Sequence, residues 1–239
     1  MKILIYGINY SPELTGIGKY SSEISEWLAN QGHEVKVITS QPYYPDWKIF
    51  KDYKNNYTTS TINNVEVFRC PLYVPKRPNF IKRLLHLLSF SITSFIPVIK
   101  SSGWKPDVVI QVVPTLFCSI QTLILSKKSR SKSIIHIQDF ELDAMFGLSM
   151  LGNNIIKRIA YFFEKKIFKS FDLVSTISSG MLKKLIIKGI DINKTILLPN
   201  WTEIDHFKNA KKNEDFLKKA GVDNSKKIVM YSGNIGKKQ

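Results

Sequence analysis

Cysteine is almost absent from this 239-residue chain, which holds only Cys70 and Cys118. The two sit in separate apolar segments without metal-ligand spacing. That excludes a disulfide-built secreted scaffold and points to buried free thiols in a reducing compartment. Acidic residues are scarce too, 19 against 35 lysines and arginines, giving a formal net charge of +16. Such a surplus favours anionic partners: phosphorylated substrates, an acidic membrane face or nucleic acid. The basic residues are dispersed and no nucleic-acid module is visible, so nucleic acid is not an expected partner. A Lys-, Ile- and Asn-rich codon bias would account for part of the surplus. Internal repeats, low-complexity tracts and a secretory signal are lacking as well. Met1-Lys2 runs straight into an apolar strand, which makes the cytoplasm the expected location, and the sequons at Asn56, Asn193 and Asn200 are then chance.

An uninterrupted membrane-spanning run is also missing. Leu84 to Ile99 contains no Asp, Glu, Lys or Arg, but its sixteen residues fall short of the ~20 a bilayer requires. Ser89, Ser91, Thr93, Ser94 and Pro97 weaken it further. Lys76, Arg77, Lys82 and Arg83 come just before it, and a basic cluster beside an apolar helix suits lying on an anionic membrane surface. An ordinary core-facing helix would show the same pattern. A basic amphipathic helix with Lys157, Arg158, Lys165 and Lys166 adds to the membrane reading.

What is present is a regular alternation of strand and helix signals. Ile3 to Ile5 and Val35 to Thr39 read as strands around a helix carrying Ile17, Tyr20, Ile24, Trp27 and Leu28. Residues 57–62 and 65–69 alternate around Asn63-Asn64 as a hairpin. Further strands are expected at Asp107–Val113, Ser133–Gln138, Asp172–Ile177 and Thr195–Leu198, with helices between them. This order predicts an α/β fold with a Rossmann-like, doubly wound parallel sheet, whose ligands bind beyond the carboxyl ends of the strands. The expected division is one domain over residues 1–208, a polar, Lys-rich linker over 209–225, and the truncated start of a second domain over 226–239, opening on a strand at Ile228–Tyr231.

The most informative segment is Tyr6 to Tyr20, a long loop ending in Gly16-Ile17-Gly18 just before a helix. Glycines there let backbone N–H groups and the positive end of the helix dipole meet a phosphate. Two alternatives stand beside that reading: glycines that merely turn the chain, and a dinucleotide fingerprint. The second fits poorly, because the loop is long and the next strand ends in Thr39-Ser40-Gln41 rather than an acid for a ribose.

Four motifs occur in order: SPELTGIGKY after the first strand, HIQDFELDA after a central strand, LLPNW near residue 200 and YSGNIGKKQ at the end. Together they resemble the family 4 retaining glycosyltransferases of GT-B architecture, in the branch of colanic-acid and related exopolysaccharide transferases. The resemblance implies two facing Rossmann-like domains, the first holding mainly acceptor and the second mainly nucleotide-sugar. It implies that Gly16, Gly18 and Lys19 approach the donor diphosphate, that Asn200 is a substrate contact at the interdomain crevice, and that Gly233, Asn234, Gly236, Lys237 and Lys238 form a second phosphate loop. Family members often place a catalytic histidine next to an acid at the HIQD position. Aligned by the strand end, Gln138 or Asp139 takes that place here and His136 falls two residues early. Asp139 is the preferred catalytic candidate, with Gln138 and His136 behind it. Residues two apart on a strand share a face, so His136 and Gln138 should point the same way, and a hydrogen-bonded core role is the ordinary alternative for His136. For Glu141 and Asp143 it is a solvated helix start.

The expected function is therefore transfer of a sugar from a nucleotide diphosphate to a glycan or lipid-linked acceptor in surface polysaccharide synthesis, at the inner face of the cytoplasmic membrane. No cluster with metal-ligand spacing is visible, and neither metal nor other cofactor is expected. The rival expectation is a truncated, non-catalytic module that binds glycan, phosphate or membrane.

Overall fold

Eight strands build one sheet in the first of two units, Met1–Pro199. They are β1 (Lys2–Tyr6), β2 (Glu34–Ser40), β3 (Thr58–Ile62), β4 (Val65–Cys70), β5 (Val108–Val113), β6 (Lys132–Ile137), β7 (Leu173–Thr176) and β8 (Thr195–Leu197). The computed structural model describes residues 1–14, 16–147, 154–205, 208, 212–223, 225 and 227–230. The strand order is β3-β4-β2-β1-β5-β6-β7-β8, and all neighbours are parallel except the β3–β4 hairpin. Asn63 and Asn64 turn that hairpin with φ of 47° and 66°, the left-handed pair that matches strand twist. With the hairpin counted as one position, the order is that of a Rossmann sheet extended by one strand, as the alternation predicted.

The strands alternate between two helical layers. Ile3, Ile5, Val37 and Val67 pack on one face against Ile24 and Leu28 of α1 (Ile17–Asn30). On the other face Leu4, Tyr6 and Val109 meet Phe90 and Val98 of α2 (Phe80–Lys100) and Leu125 of α3 (Ser119–Ser129). Farther along that face lie Ile135, Ile137 and Val174. They are covered by Phe168 of α5 (Asn154–Ser170) and Leu185 of α6 (Ser179–Ile187). The short α4 (Glu141–Gly147) follows β6 directly.

Helix α2 differs from its sequence reading in length. Asn79 caps it, accepting Lys82 N–H at 2.9 Å, so the helix takes up the basic turn before Leu84 and reaches 21 residues. With the turn that follows, it is the one helix among the described residues long and apolar enough to cross a membrane. Its Phe90, Ser94 and Val98 are nevertheless buried on the sheet, and Ser94 Oγ lies 2.5 Å from Tyr6 Oη. It is a layer of the fold.

Among the described residues of the second unit, Asn200–Gln239, α7 (Glu214–Lys219) is capped by Asn213, and Leu217 is buried. Ile228, Val229 and Met230 do not form the expected strand, and Tyr231 lies outside the described residues. Strand backbone needs a partner ladder, and among the described residues none adjoins this segment.

Candidate functional site

The sheet's switch point lies at β1, which pairs with β2 on one side and β5 on the other. A cavity of about 360 Å³ opens at the carboxyl edge there. Ile8, Asn9, Gly16 and Ile17 line it from the segment after β1, and Tyr43, Tyr44 and Trp47 from the loop after β2. The first turns of α2 supply Arg83, His86 and Leu87; Pro114 and Asp139 come from the ends of β5 and β6. A larger groove of about 500 Å³ runs beside α2, between Phe68, Ile96 and Trp104. It holds none of the candidate residues and lies away from the carboxyl edge, so the smaller cavity is the better site.

The loop after β1 is held by two buried charged side chains, Glu13 and Arg69, each bonded to neighbouring polar groups. Glu13 Oε1 accepts the N–H groups of Tyr43 and Tyr44 at 2.8 and 2.9 Å, and Oε2 accepts Asn9 Nδ2 at 2.7 Å. Burial raises the Glu13 carboxyl against the opposing pull of these donors and of Arg69. Arg69, itself buried, donates to the carbonyls of Ser40 and Ser11 and lies over the Tyr53 ring. Charge inside the protein is tolerated where hydrogen bonds surround it, and here they lock the loops after β1 and β2 together.

The two glycines have different surroundings. Gly16 has φ of +59°, and a Cβ added to it would meet nothing within 4 Å. It faces the cavity at the start of α1, which has no side-chain cap from Gly16 and no acid in its first turn. A Cβ on Gly18 would come within 2.9 Å of both Glu13 Cβ and the Glu13 carbonyl. Gly18 is thus a packing glycine that lets the loop lie on the helix. Lys19 pairs with Glu23 at 3.8 Å along the outside of α1 and is not part of the cavity wall.

At the end of β6 the three catalytic candidates separate by depth. His136 is buried opposite its register partner Ser175, with Nδ1 2.8 Å from Ser175 Oγ. Gln138 Nε2 donates to His136 Nε2 at 2.9 Å, so the ring is neutral with its proton on Nδ1. Burial accordingly lowers the His136 pKa to about 4. Gln138 is half-buried, and Asp139 is exposed on the cavity wall. Behind them, the Glu141 carboxylate is enclosed although the residue as a whole is half-buried. Its Oε2 accepts Leu116 N–H at 3.1 Å, tying the loop after β5 to the turn that carries Asp139. Burial, with the nearby charges of Asp139 and Glu164, pushes its pKa up to about 7. Asp143 is no solvated helix start. It accepts from Tyr161 and pairs with Lys184 and Lys188; burial pushes its carboxyl up, but these partners outweigh that and hold it below the usual range.

The structure thus brings Gly16 and Asp139 to one cavity and leaves Gly18, Lys19, His136 and Gln138 outside its wall. Asn200 is exposed at the first position of the second unit. Gly233, Asn234, Gly236, Lys237 and Lys238 lie outside the described residues. Sequence reading missed the aromatic wall. Trp47, Tyr43 and His86 form a ring cluster with centroids 4.5 to 5.6 Å apart, and the Arg83 guanidinium lies 5.5 Å over Trp47. His86 is buried, with Nδ1 2.6 Å from the Tyr73 carbonyl. Burial lowers its pKa to about 4, and Nε2 has no hydrogen-bond partner among the described residues. The only sequence signal was a histidine inside a charge-free apolar run.

Comparison with known proteins identifies the family and the fold. The family model described as "Glycosyl transferase 4-like domain" matches residues 15–201. WcaI of Escherichia coli K12, named as a colanic acid biosynthesis glycosyl transferase, is 49% identical over 244 residues, which cover all of this chain and 60% of WcaI. The chain therefore spans about three-fifths of that relative. Among solved structures, HepE of Anabaena in complex with UDP and glucose matches 92% of this chain and 50% of its own, with a TM-score of 0.52 and 17% identity. A sucrose-phosphate synthase structure from Thermosynechococcus elongatus matches 86% of this chain and 93% of its own, with a TM-score of 0.52 and 13% identity. These two likenesses are of fold.

Proposed function

Because the chain belongs to the glycosyl transferase 4-like family, we propose that it is the acceptor-side part of a retaining glycosyltransferase of exopolysaccharide synthesis. It moves a sugar from a nucleotide diphosphate to a glycan or lipid-linked acceptor, in the cytoplasm and as a peripheral protein of the membrane's inner face. Residues 1–208 hold the acceptor, 209–225 act as linker, and 226–239 begin the donor-binding domain. The observation that carries this reading is the cavity at the switch point, where the open backbone of Gly16 and the carboxylate of Asp139 share one wall.

In this reading the backbone at Gly16 approaches the donor diphosphate, aided by the start of α1. Gly233, Asn234, Gly236, Lys237 and Lys238 supply further donors to the phosphates, and Asn200 contacts substrate. Reaction takes place on one face of the sugar. The departing diphosphate accepts the acceptor's proton while N–H groups and lysines stabilise its charge. Asp139 orients the acceptor hydroxyl or stabilises the cationic sugar, and Gln138 with His136 forms the hydrogen-bonded support beside it.

Transfer from labelled nucleotide-sugar, measured for this chain alone and mixed with the remaining segment of a WcaI-like relative, tests the reading. The chain alone is expected to show negligible turnover and the mixture measurable transfer with retained anomeric configuration. Robust turnover by the chain alone would overturn the division of labour, and an inverted product the mechanism.

A further inference from the structure

Helix α2 is apolar on two opposite sides. His86, Phe90, Ser94 and Val98 form the row buried on the sheet. Ile81, Leu85, Ile92 and Ile96 lie on the reverse side and are 65%, 51%, 69% and 61% exposed. The exposed face does not end at α2. Gln121 Nε2 of α3 donates to the Ser91 carbonyl at 2.8 Å, joining the two helices, and Phe117, Ile120 and Ile124 are exposed beside that contact. In the same layer α5 exposes Ile159, Phe162 and Phe163. Solvent-facing rows of this extent call for a cover.

Charge says which cover. Neither α2 nor α3 contains an aspartate or glutamate. The one acid of α5, Glu164, is 2% exposed and paired inward with Lys188. Lysines and arginines, in contrast, stand exposed at the helix ends and flanks, including Lys76, Lys82, Lys100, Lys127, Lys157 and Lys166. An apolar surface rimmed by cations and free of exposed carboxylates is complementary to acyl chains beneath anionic headgroups. We propose that the outer surface of the α2–α3–α5 layer lies on an anionic phospholipid bilayer.

This surface also fixes where the cavity sits. Arg83, His86 and Leu87 line the cavity from the first turns of α2, and Ile81 and Leu85 occupy the reverse side of the same turns. A helix is about 10–12 Å across with its side chains. The cavity therefore lies within about one helix diameter of the headgroups, with the Arg83 guanidinium available to an anionic group. On the glycosyltransferase reading, on which this last step rests, the acceptor is a lipid-linked phosphate sugar held in the same bilayer rather than a free glycan.

Vesicle flotation tests the surface without donor or acceptor. The chain is expected to float with vesicles of equal parts phosphatidylglycerol and phosphatidylcholine, and less well as ionic strength rises. Ile92→Glu and Ile96→Glu, at positions already exposed, should keep the circular-dichroism melt and each lower the partition coefficient about tenfold or more, since burying one such side chain is worth roughly a decade in an equilibrium. Equal binding to pure phosphatidylcholine, or flotation indifferent to both substitutions, overturns the proposal. So does concentration-dependent self-association that the same substitutions abolish, because a second copy would then be the cover. Transfer is read separately, in the complete transferase with vesicles present. Preference for a lipid-linked over a soluble acceptor, lost in Ile92→Glu, supports the acceptor assignment, and equal rates overturn it. Flotation without any transfer would fail the glycosyltransferase reading and leave the surface standing.

Discussion

Gly16 and Gly18 stand two residues apart and answer to different constraints, which substitution can separate. Gly16→Val places a β-branched side chain at a left-handed φ on an open cavity wall. Transfer by the complete transferase should fall by about 10²-fold or more, with a stability loss of only about 1–3 kcal/mol. Gly18→Ala instead drives a methyl into Glu13. It should cost about 1–3 kcal/mol in urea denaturation, and any loss of activity should follow that destabilisation. Asp139→Ala should lower the transfer rate by about 10²-fold while the thermal midpoint stays near that of the parent, because the residue is an exposed part of the wall; a near-normal rate would move the assignment to Gln138 or His136. Glu141 gives a prediction in pH. An unfolded glutamate releases its proton near 4.5, whereas the folded carboxyl holds it to about 7. Folding therefore takes up a proton between those values, and stability falls as pH rises through this window, by on the order of 3 kcal/mol. Glu141→Gln, whose amide oxygen can still accept Leu116 N–H, should flatten that slope in denaturation series from pH 4.5 to 7. At this scale the sequence put Asp139 just past the end of a strand, and the structure places it on the cavity wall. The sequence did not reveal Arg83, His86 or Trp47, which reach the cavity from elements distant in the chain and become neighbours only through the sheet order.

Among the elements, the strands were legible because alternation and apolar runs are local properties, and the sheet kept them within a residue or two. Helix α2 was legible only as a choice, core layer or membrane surface. No periodicity argument resolves that choice when both sides of a helix are apolar, and burial of Phe90 and Val98 shows the core role directly. The strand expected at Ile228–Tyr231 is not formed over its described part, Ile228 to Met230, because β-branched content says nothing about whether a neighbouring strand exists. The packing of α4, α5 and α6 was not legible at all, because it depends on charges scattered over more than forty residues. Lys188 Nζ lies 2.5 Å from Glu164 Oε2 and 3.3 Å from Asp143 Oδ1, and Lys184 meets the other Asp143 oxygen at 2.7 Å. Lys188→Met removes the partner of a buried carboxylate and should cost about 3–5 kcal/mol. The double variant Lys188→Met with Glu164→Leu removes both charges, leaves Asp143 to Lys184, and should recover most of that loss. Equal instability of the single and double variants in urea denaturation would show that the pair is not what joins these helices.

For the whole molecule, the deciding fact is where the apolar core lies. Among the described residues, the three clusters of buried side chains fall between Ile3 and Ile190, and the last strand, β8, ends at Leu197. The division at Pro199 therefore leaves the first unit with its complete sheet, both helical layers and the whole lining of the cavity. Among the described residues of the second unit, Leu217 is the one buried large apolar side chain. A chain ending at Pro199 should accordingly unfold in one cooperative transition, with a thermal midpoint within a few degrees of the 239-residue chain, because a difference of 1 kcal/mol moves the midpoint of a domain this size by only about 2–4 °C. It should retain the near-ultraviolet signal of the Tyr43–Trp47–His86 cluster, which lies wholly within it. It should also float with anionic vesicles as the longer chain does, because α2, α3 and α5 all precede the cut. Loss of the cooperative transition on removing residues 200–239 would mean that the first unit depends on the second for its core, contrary to the distribution of its buried side chains.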